Sequence, residues 1–236
     1  MAANLDFHRR FEDRAVPCPY TMPPFSSFPT PIGNSLMIPL KFYNQSTLKI
    51  AQALLGQFIV REINGRKLMG KIVETESYVG FNDLASHASR GKTDRTKIMF
   101  GPAGHAYIYL IYGMYCCFNI VTEKKDYPAA VLIRAVEPIE GIDQMLKNRK
   151  LQSPISNSKF LISISNGPSK FCQAFAIDRK LNDHALNKKP LYLIKGEKIK
   201  PSQMVKATRI GVDYSGEYAK KKWRFYIKGN AFVSKK

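Results

Sequence analysis

The chain has 236 residues, enough for one sizeable core, and 44% of them are hydrophobic, which excludes a wholly disordered protein. Lys and Arg number 37 against 18 Asp and Glu, a net charge of +19 that needs a neutralising partner: nucleic acid, an anionic membrane or an acidic protein. No apolar stretch is long enough to span a bilayer and no secretory leader follows Met1, so nucleic acid is the favoured partner, although charge alone does not separate DNA from RNA.

Residues 1–36 hold Pro17, Pro19, Pro23, Pro24, Pro29 and Pro31, a density that prevents helix and breaks strand ladders. They are expected to be a disordered extension, with a basic DNA-binding arm or a natural start at Met37 as alternatives; residues 37–236 are expected to form one folded domain. Ser46 and Thr47 can cap a helix that carries Leu48, Ala51, Leu54 and Leu55 and ends at Gly56. Asn64-Gly65 between 58–63 and 67–73 is a two-residue hairpin signal, and the second strand runs on to Tyr78. A second hairpin pairs 107–111 with 115–121 about a turn at Tyr112-Gly113. Residues 131–135 read as strand, 140–150 as helix and the Ser- and Asn-rich 151–166 as loop. Gly167-Pro168-Ser169-Lys170 opens a further helix, and strands return at 191–194, 208–212 and 223–227. Helices and strands do not alternate regularly, which argues α+β with a mainly antiparallel sheet.

Several residues can carry chemistry. Glu74, Glu76 and Tyr78 lie two apart in one strand, so all three leave the same face, and a carboxylate there can deprotonate a water; a solvated face with salt bridges is the alternative. Asp83, His87, Arg90 and Arg95 follow in a polar loop, where His87 either helps to close a pocket or is simply structural. The second hairpin is dense in tyrosine. Strand propensity accounts for Tyr107 and Tyr115, but Tyr112 at the turn should project and can wedge between bases, while Tyr109 can offer a ring to a base. Cys116 and Cys117 are adjacent and point to opposite faces; with no Cys-x-x-Cys pair and few histidines, reduced thiols are expected and no metal. The helix start at Lys170 suits a phosphate, or is an ordinary helix start; Lys220-Lys221-Lys222 reads as a solvated basic turn.

Taken in order, Val73-Glu74-Thr75-Glu76-Ser77-Tyr78, His87-Ala88-Ser89-Arg90-Gly91, the run Tyr107 to Tyr115, Leu132 to Pro138, Gly167 to Lys170 and Arg224-Phe225-Tyr226 resemble the alkyladenine (3-methyladenine) DNA glycosylase family, over about residues 37 to 236. The resemblance implies a single α+β domain with a curved antiparallel sheet, flanking helices and a protruding hairpin. It implies a monofunctional enzyme that flips a damaged purine from duplex DNA and hydrolyses the N-glycosidic bond, with no cofactor and no metal. Glu76 then corresponds to the general base and Arg134 to an arginine that helps hold the water. Tyr78, His87 and Tyr109 line the base pocket. Asn119 crowds the 2-amino group of guanine, and Ile210 falls where relatives offer a backbone carbonyl to the water. Tyr112 is the intercalating residue, Met114 lies beside it on the DNA-binding hairpin, and Lys170 and Arg179 meet phosphates. The implied protein is a monomer that meets no membrane and works in a nucleus if eukaryotic, or in the cytoplasm or nucleoid if bacterial. Two other classes remain open on the residues: a non-catalytic nucleic-acid binder, and an RNA-processing hydrolase that prefers single strands.

Overall fold

A computed structural model describes residues 36–151 and 158–235. The expected extension therefore lies outside the described residues, apart from Leu36. Asn64 and Gly65 both take positive φ (49° and 71°) and close a tight turn between β1 (Phe58–Ile63) and β2 (Arg66–Val79). Such a turn matches the twist of the strands it joins, which is why an Asn-Gly pair signals it so well.

β2 is the strand around which the rest is built. β5 (Ala129–Glu140) pairs along one edge of it; β1 and then β9 (Arg224–Ile227) share the other. β3 (Ala106–Ile111) and β4 (Tyr115–Val121) extend the sheet beyond β5. β7 (Leu191–Ile194) and the short β6 (Asn187–Lys188) extend it beyond β1, and β8 (Met204–Ala207) pairs with β9. The result, among the described residues, is a curved nine-stranded sheet in the order β3-β4-β5-β2-β1-β7-β6, branched at β2 and antiparallel at every pairing.

Alternation along the central strands gives the sheet two unlike faces. On one, Thr75 and Ser77 donate their hydroxyls to the backbone of α1 (Thr47–Ala53), and Ile108, Phe118, Ile120, Val131 and Ile133 join the main core. α4 (Pro168–Ala174) covers β4 and β5 with Phe171, and its C-cap residue Phe175 joins the same core. On the other face the paired residues Tyr107–Asn119–Leu132–Glu76–Arg224 run in a row across β3, β4, β5, β2 and β9. Directly opposed residues share a face, so the ladder register itself collects these side chains.

Four expectations need correction. Residues 208–212 are not a strand: β8 ends at Ala207, and beyond it Arg209 turns into a buried ion pair while Gly211 takes a φ of 75°. Within the expected loop 151–166, residues Ser158–Ser163 form a helix, α3; Phe160 and Leu161 pack on the main core, and that burial outweighs a Ser-rich composition. Residues 152–157 of that loop lie outside the described residues. The expected helix from 140 starts later, as α2 (Ile142–Asn148), because β5 keeps Glu140 and Gly141 breaks the chain direction with a φ of 80°. Ser46 sits at the N-cap of α1 without a side-chain cap bond; Thr47 instead bonds Thr122 and Glu123.

Candidate active site

Tyr107, Asn119 and Leu132 of that row line a cavity of about 280 Å³. Its walls include Tyr78, His87, Tyr109, Asn119, Arg134 and Ile210, so six of the sequence-predicted residues converge on one space. They come from β2, the turn after it, β3, β4, β5 and the segment after β8.

Glu76 lies behind that wall. It is wholly buried and takes three donors: the Tyr78 hydroxyl at 3.0 Å and Arg134 Nη1 at 3.2 Å on Oε2, and the Ile210 N–H at 2.8 Å on Oε1. All three donors belong to residues that line the cavity. Glu74 is equally buried but is held differently. Arg224 Nη1 at 2.9 Å and the Ser234 N–H at 2.7 Å tie it to β9 and the C-terminal segment, and it meets Arg134 Nε at 3.3 Å. Two carboxylates and two guanidiniums thus balance within the site, which keeps buried charge paired. Burial alone lowers the Arg134 pKa, yet the charges of Glu76 and Glu74 outweigh it and raise the pKa overall. β2 carries register shifts on either side of Glu74 against β5, a bulge of the kind that re-aims side chains beside active sites.

Part of the cavity wall is aromatic. The His87 ring meets Tyr109 edge-on with centroids 4.5 Å apart, and Tyr107 lies 5.6 Å from Tyr109. Arg95 Nη2, which can only donate, lies 3.3 Å from His87 Nε2, so His87 Nδ1 carries the proton toward the Tyr107 hydroxyl at 3.0 Å. Burial and then the charges of Arg95 and Arg90 push the His87 pKa down to about 4, so the imidazole is neutral at physiological pH. Burial, reinforced by Glu76, holds the Tyr78 phenol well above its usual value. Asn119 Nδ2 donates to the Tyr107 carbonyl at 3.1 Å, which pins the amide to the wall.

Tyr112, Met114, Lys170 and Arg179 are not among the residues that line the cavity. Tyr112 and Gly113 take positive φ (52° and 71°) and form the tip of the β3–β4 hairpin, with Tyr112 83% and Met114 68% exposed. Lys170, in the first turn of α4, donates to Asn166 at 2.9 Å, and neighbouring Pro168 lines the cavity. Arg179 is exposed in a short turn and lines a second groove with Arg95 and Tyr109. Cys116 and Cys117 do face opposite ways, the first half-buried against the main core and the second lining the cavity; both are free thiols. Ile210 presents its N–H to Glu76, a contact that the resemblance did not suggest. Sequence reasoning missed two residues and half-missed a third. Tyr214 lines the mouth while 72% exposed, in a segment with no periodic signal. Arg209 is fully buried against Asp83, inside a stretch that reads as strand. Arg95 stood only as one more polar loop residue, although its charge lies over the Tyr109 ring at 5.2 Å.

The model of the family described as methylpurine-DNA glycosylase matches residues 41–231. Similar proteins described as candidate 3-methyladenine DNA glycosylases occur in bacteria and archaea. One from Clostridium acetobutylicum is 47% identical over 82% of this chain and 95% of its own length. One from Methanocella arvoryzae is 47% identical over 85% and 96%. A third, from Carboxydothermus hydrogenoformans, is 46% identical over 85% of this chain and all of its own length.

Proposed function

The chain belongs to the methylpurine-DNA glycosylase family, a DNA-repair hydrolase of N-glycosyl bonds, and from that premise we propose that it flips alkylated or deaminated purines out of duplex DNA and releases them with water. The observation that carries this reading is the partner set of Glu76, all of it drawn from the cavity wall. A carboxylate offers about four acceptor positions. Tyr78, Arg134 and Ile210 use three of them, and this reading assigns the fourth, on Oε1, to a water aimed at the sugar.

The chemistry asks for little more. An alkylated purine such as 3-methyladenine is already cationic and leaves readily; as it goes, the sugar gains oxocarbenium character, which the Glu76 carboxylate stabilises while taking a proton from the attacking water. Neutral His87 adds no positive charge against a cationic base, and Tyr78 and Tyr109 are lining rings on which the base can stack. Flipping costs a few kcal/mol, least at damaged bases. Stacking at about 1–3 kcal/mol per ring offsets much of that. No lysine lines the cavity among the described residues, which supports attack by water and not by an amine, and hence base release without strand cutting.

The test is incubation with duplexes carrying hypoxanthine, ethenoadenine or methylated purines. Abasic sites should appear, strands should break only after alkali, and Glu76→Gln should abolish most release while it still binds the duplex. If Glu76→Gln released base at the parent single-turnover rate while Glu74→Gln did not, the general base would be Glu74. Preference for single-stranded RNA over damaged duplex would favour an RNA-processing hydrolase, and binding without any release would favour a non-catalytic binder.

A further inference from the structure

We infer that the buried ion pair between Arg209 and Asp83 is the positioning element of the site, setting Tyr78, Ile210 and the His87 turn around Glu76 without touching DNA. The inference rests on the glycosylase reading. Neither side chain of the pair has exposed surface. Arg209 grips the Asp83 carboxylate with both terminal nitrogens, Nη1 at 2.6 Å and Nη2 at 2.8 Å. The same carboxylate accepts the Val79 and Ala85 N–H groups, each at 3.1 Å. Arg209 also donates to the Ser77 carbonyl at 2.9 Å and the Tyr218 carbonyl at 3.2 Å. Its guanidinium lies between two rings, 4.8 Å from the Tyr78 centroid and 5.1 Å from that of Trp223.

One cation therefore fastens three segments. It holds the end of β2 through Ser77, the turn into His87 through Asp83, and the loop before β9 through Tyr218. Two of the three donors to Glu76 depend on it: Tyr78 has this guanidinium at its ring, and Ile210 is the next residue in the chain. A pair that served stability alone would be a poor choice, because well-packed apolar residues commonly do as well in such a place. Among the described residues Arg209 Nε moreover has no partner, a further penalty of burying this group. What a planar, forked cation supplies is direction: two nitrogens on one carboxylate, two carbonyls and two ring faces at once. Lysine cannot reproduce that geometry.

The experiment compares Arg209→Met, Arg209→Lys and Asp83→Asn with the parent, at a temperature where circular dichroism shows each folded. It measures single-turnover release of hypoxanthine and affinity for a duplex carrying a tetrahydrofuran abasic analogue, which has no base to stack. Misplacement by about 1 Å can cost on the order of 100-fold in rate. Release should fall at least about tenfold in each variant, Arg209→Lys included, with abasic-duplex affinity within about threefold of the parent. A folded Arg209→Met that releases hypoxanthine within about threefold of the parent rate would overturn the inference, as would a loss of affinity as large as the loss of rate. Should Arg209→Met and Asp83→Asn not fold, Trp223→Leu decides. It leaves both ions in place and uncovers one face of the guanidinium, so the rate should drop by about threefold or more with affinity unchanged, and an unaltered rate would defeat the proposal. A parent protein that releases no base from any damaged duplex would instead defeat the glycosylase reading.

Discussion

Asn119 cannot swing out of the cavity, because its Nδ2 is committed to the carbonyl of the residue opposite it, Tyr107. On the proposed reading, a guanine entering the pocket would bring against that amide a 2-amino group that adenine lacks. Asn119→Ser removes the obstruction, so the rate ratio between 7-methylguanine or guanine and ethenoadenine should rise by about tenfold, the size of a relieved clash worth about 1.4 kcal/mol. An unchanged ratio would take the residue out of the selectivity argument. His87 makes a prediction about acid. Its folded pKa, about 4, lies below the ordinary 6.5, so the unfolded chain binds the extra proton first. The stability this group contributes is complete above pH 6.5 and is lost as pH falls toward 4. Melting temperatures measured across that window should decline less steeply in His87→Gln than in the parent, and an NMR titration of the ring should show no midpoint near 6.5.

Among the elements, the β3–β4 hairpin is anchored in the main core at its base and ends in an exposed tip. Tyr112 sits at its tip with positive φ, an uncommon conformation for a bulky residue and one associated with functional strain. Its ring is exposed beside Met114, so packing does not explain it. We expect it to enter the base stack in place of the flipped nucleotide. Tyr112→Ala should therefore leave the melting temperature nearly unchanged, since few contacts are lost. It should lower the flipped fraction, which stopped-flow fluorescence of ethenoadenine reports. A destabilised variant that still flips normally would make Tyr112 a packing residue. The contrast with Asn64-Gly65 is instructive, because that turn has the same φ pattern but residue types that suit it.

At the scale of the whole molecule the charge decides. Within residues 1–36, Asp6, Glu12 and Asp13 cancel Arg9, Arg10 and Arg14, so the full excess of +19 belongs to residues 37–236. Among the described residues no helix is long and apolar enough to cross a membrane. If Lys170 and Arg179 each meet a phosphate, the log–log salt slope from these two alone is about −1.8. Affinity for duplex should then fall at least about tenfold between roughly 50 and 200 mM salt, and the double alanine variant should flatten the slope by about two. A flat salt dependence in the parent would mean that the charge serves another partner.

How much of this could be read from the chain follows from the range of each interaction. Turn chemistry and alternation act over a few residues, so Asn64-Gly65, the Tyr112 tip and the common face of Glu74, Glu76 and Tyr78 were legible at once. So were the α+β class and, from charge, the nucleic-acid partner; the specific activity came from family resemblance and not from these local rules. Composition misled at 158–163, where three apolar residues outweighed their Ser-rich surroundings by finding a core, and at 208–212, where an apparent strand is shaped by a buried ion. The resemblance singles out Glu76 from Glu74, but only the tertiary structure shows how their surroundings differ: both leave the same strand face, and the donors come from Arg134 and Ile210 for the first and from Arg224 and Ser234 for the second. The row Tyr107–Asn119–Leu132–Glu76–Arg224 depends on the register of four separate strand pairings, and Arg209 finds Asp83 across 126 positions. Register and ion partners are chosen by the packing of the whole sheet, since a slip of one residue would turn every side chain of a strand to the opposite face, and no local pattern along the chain encodes that choice.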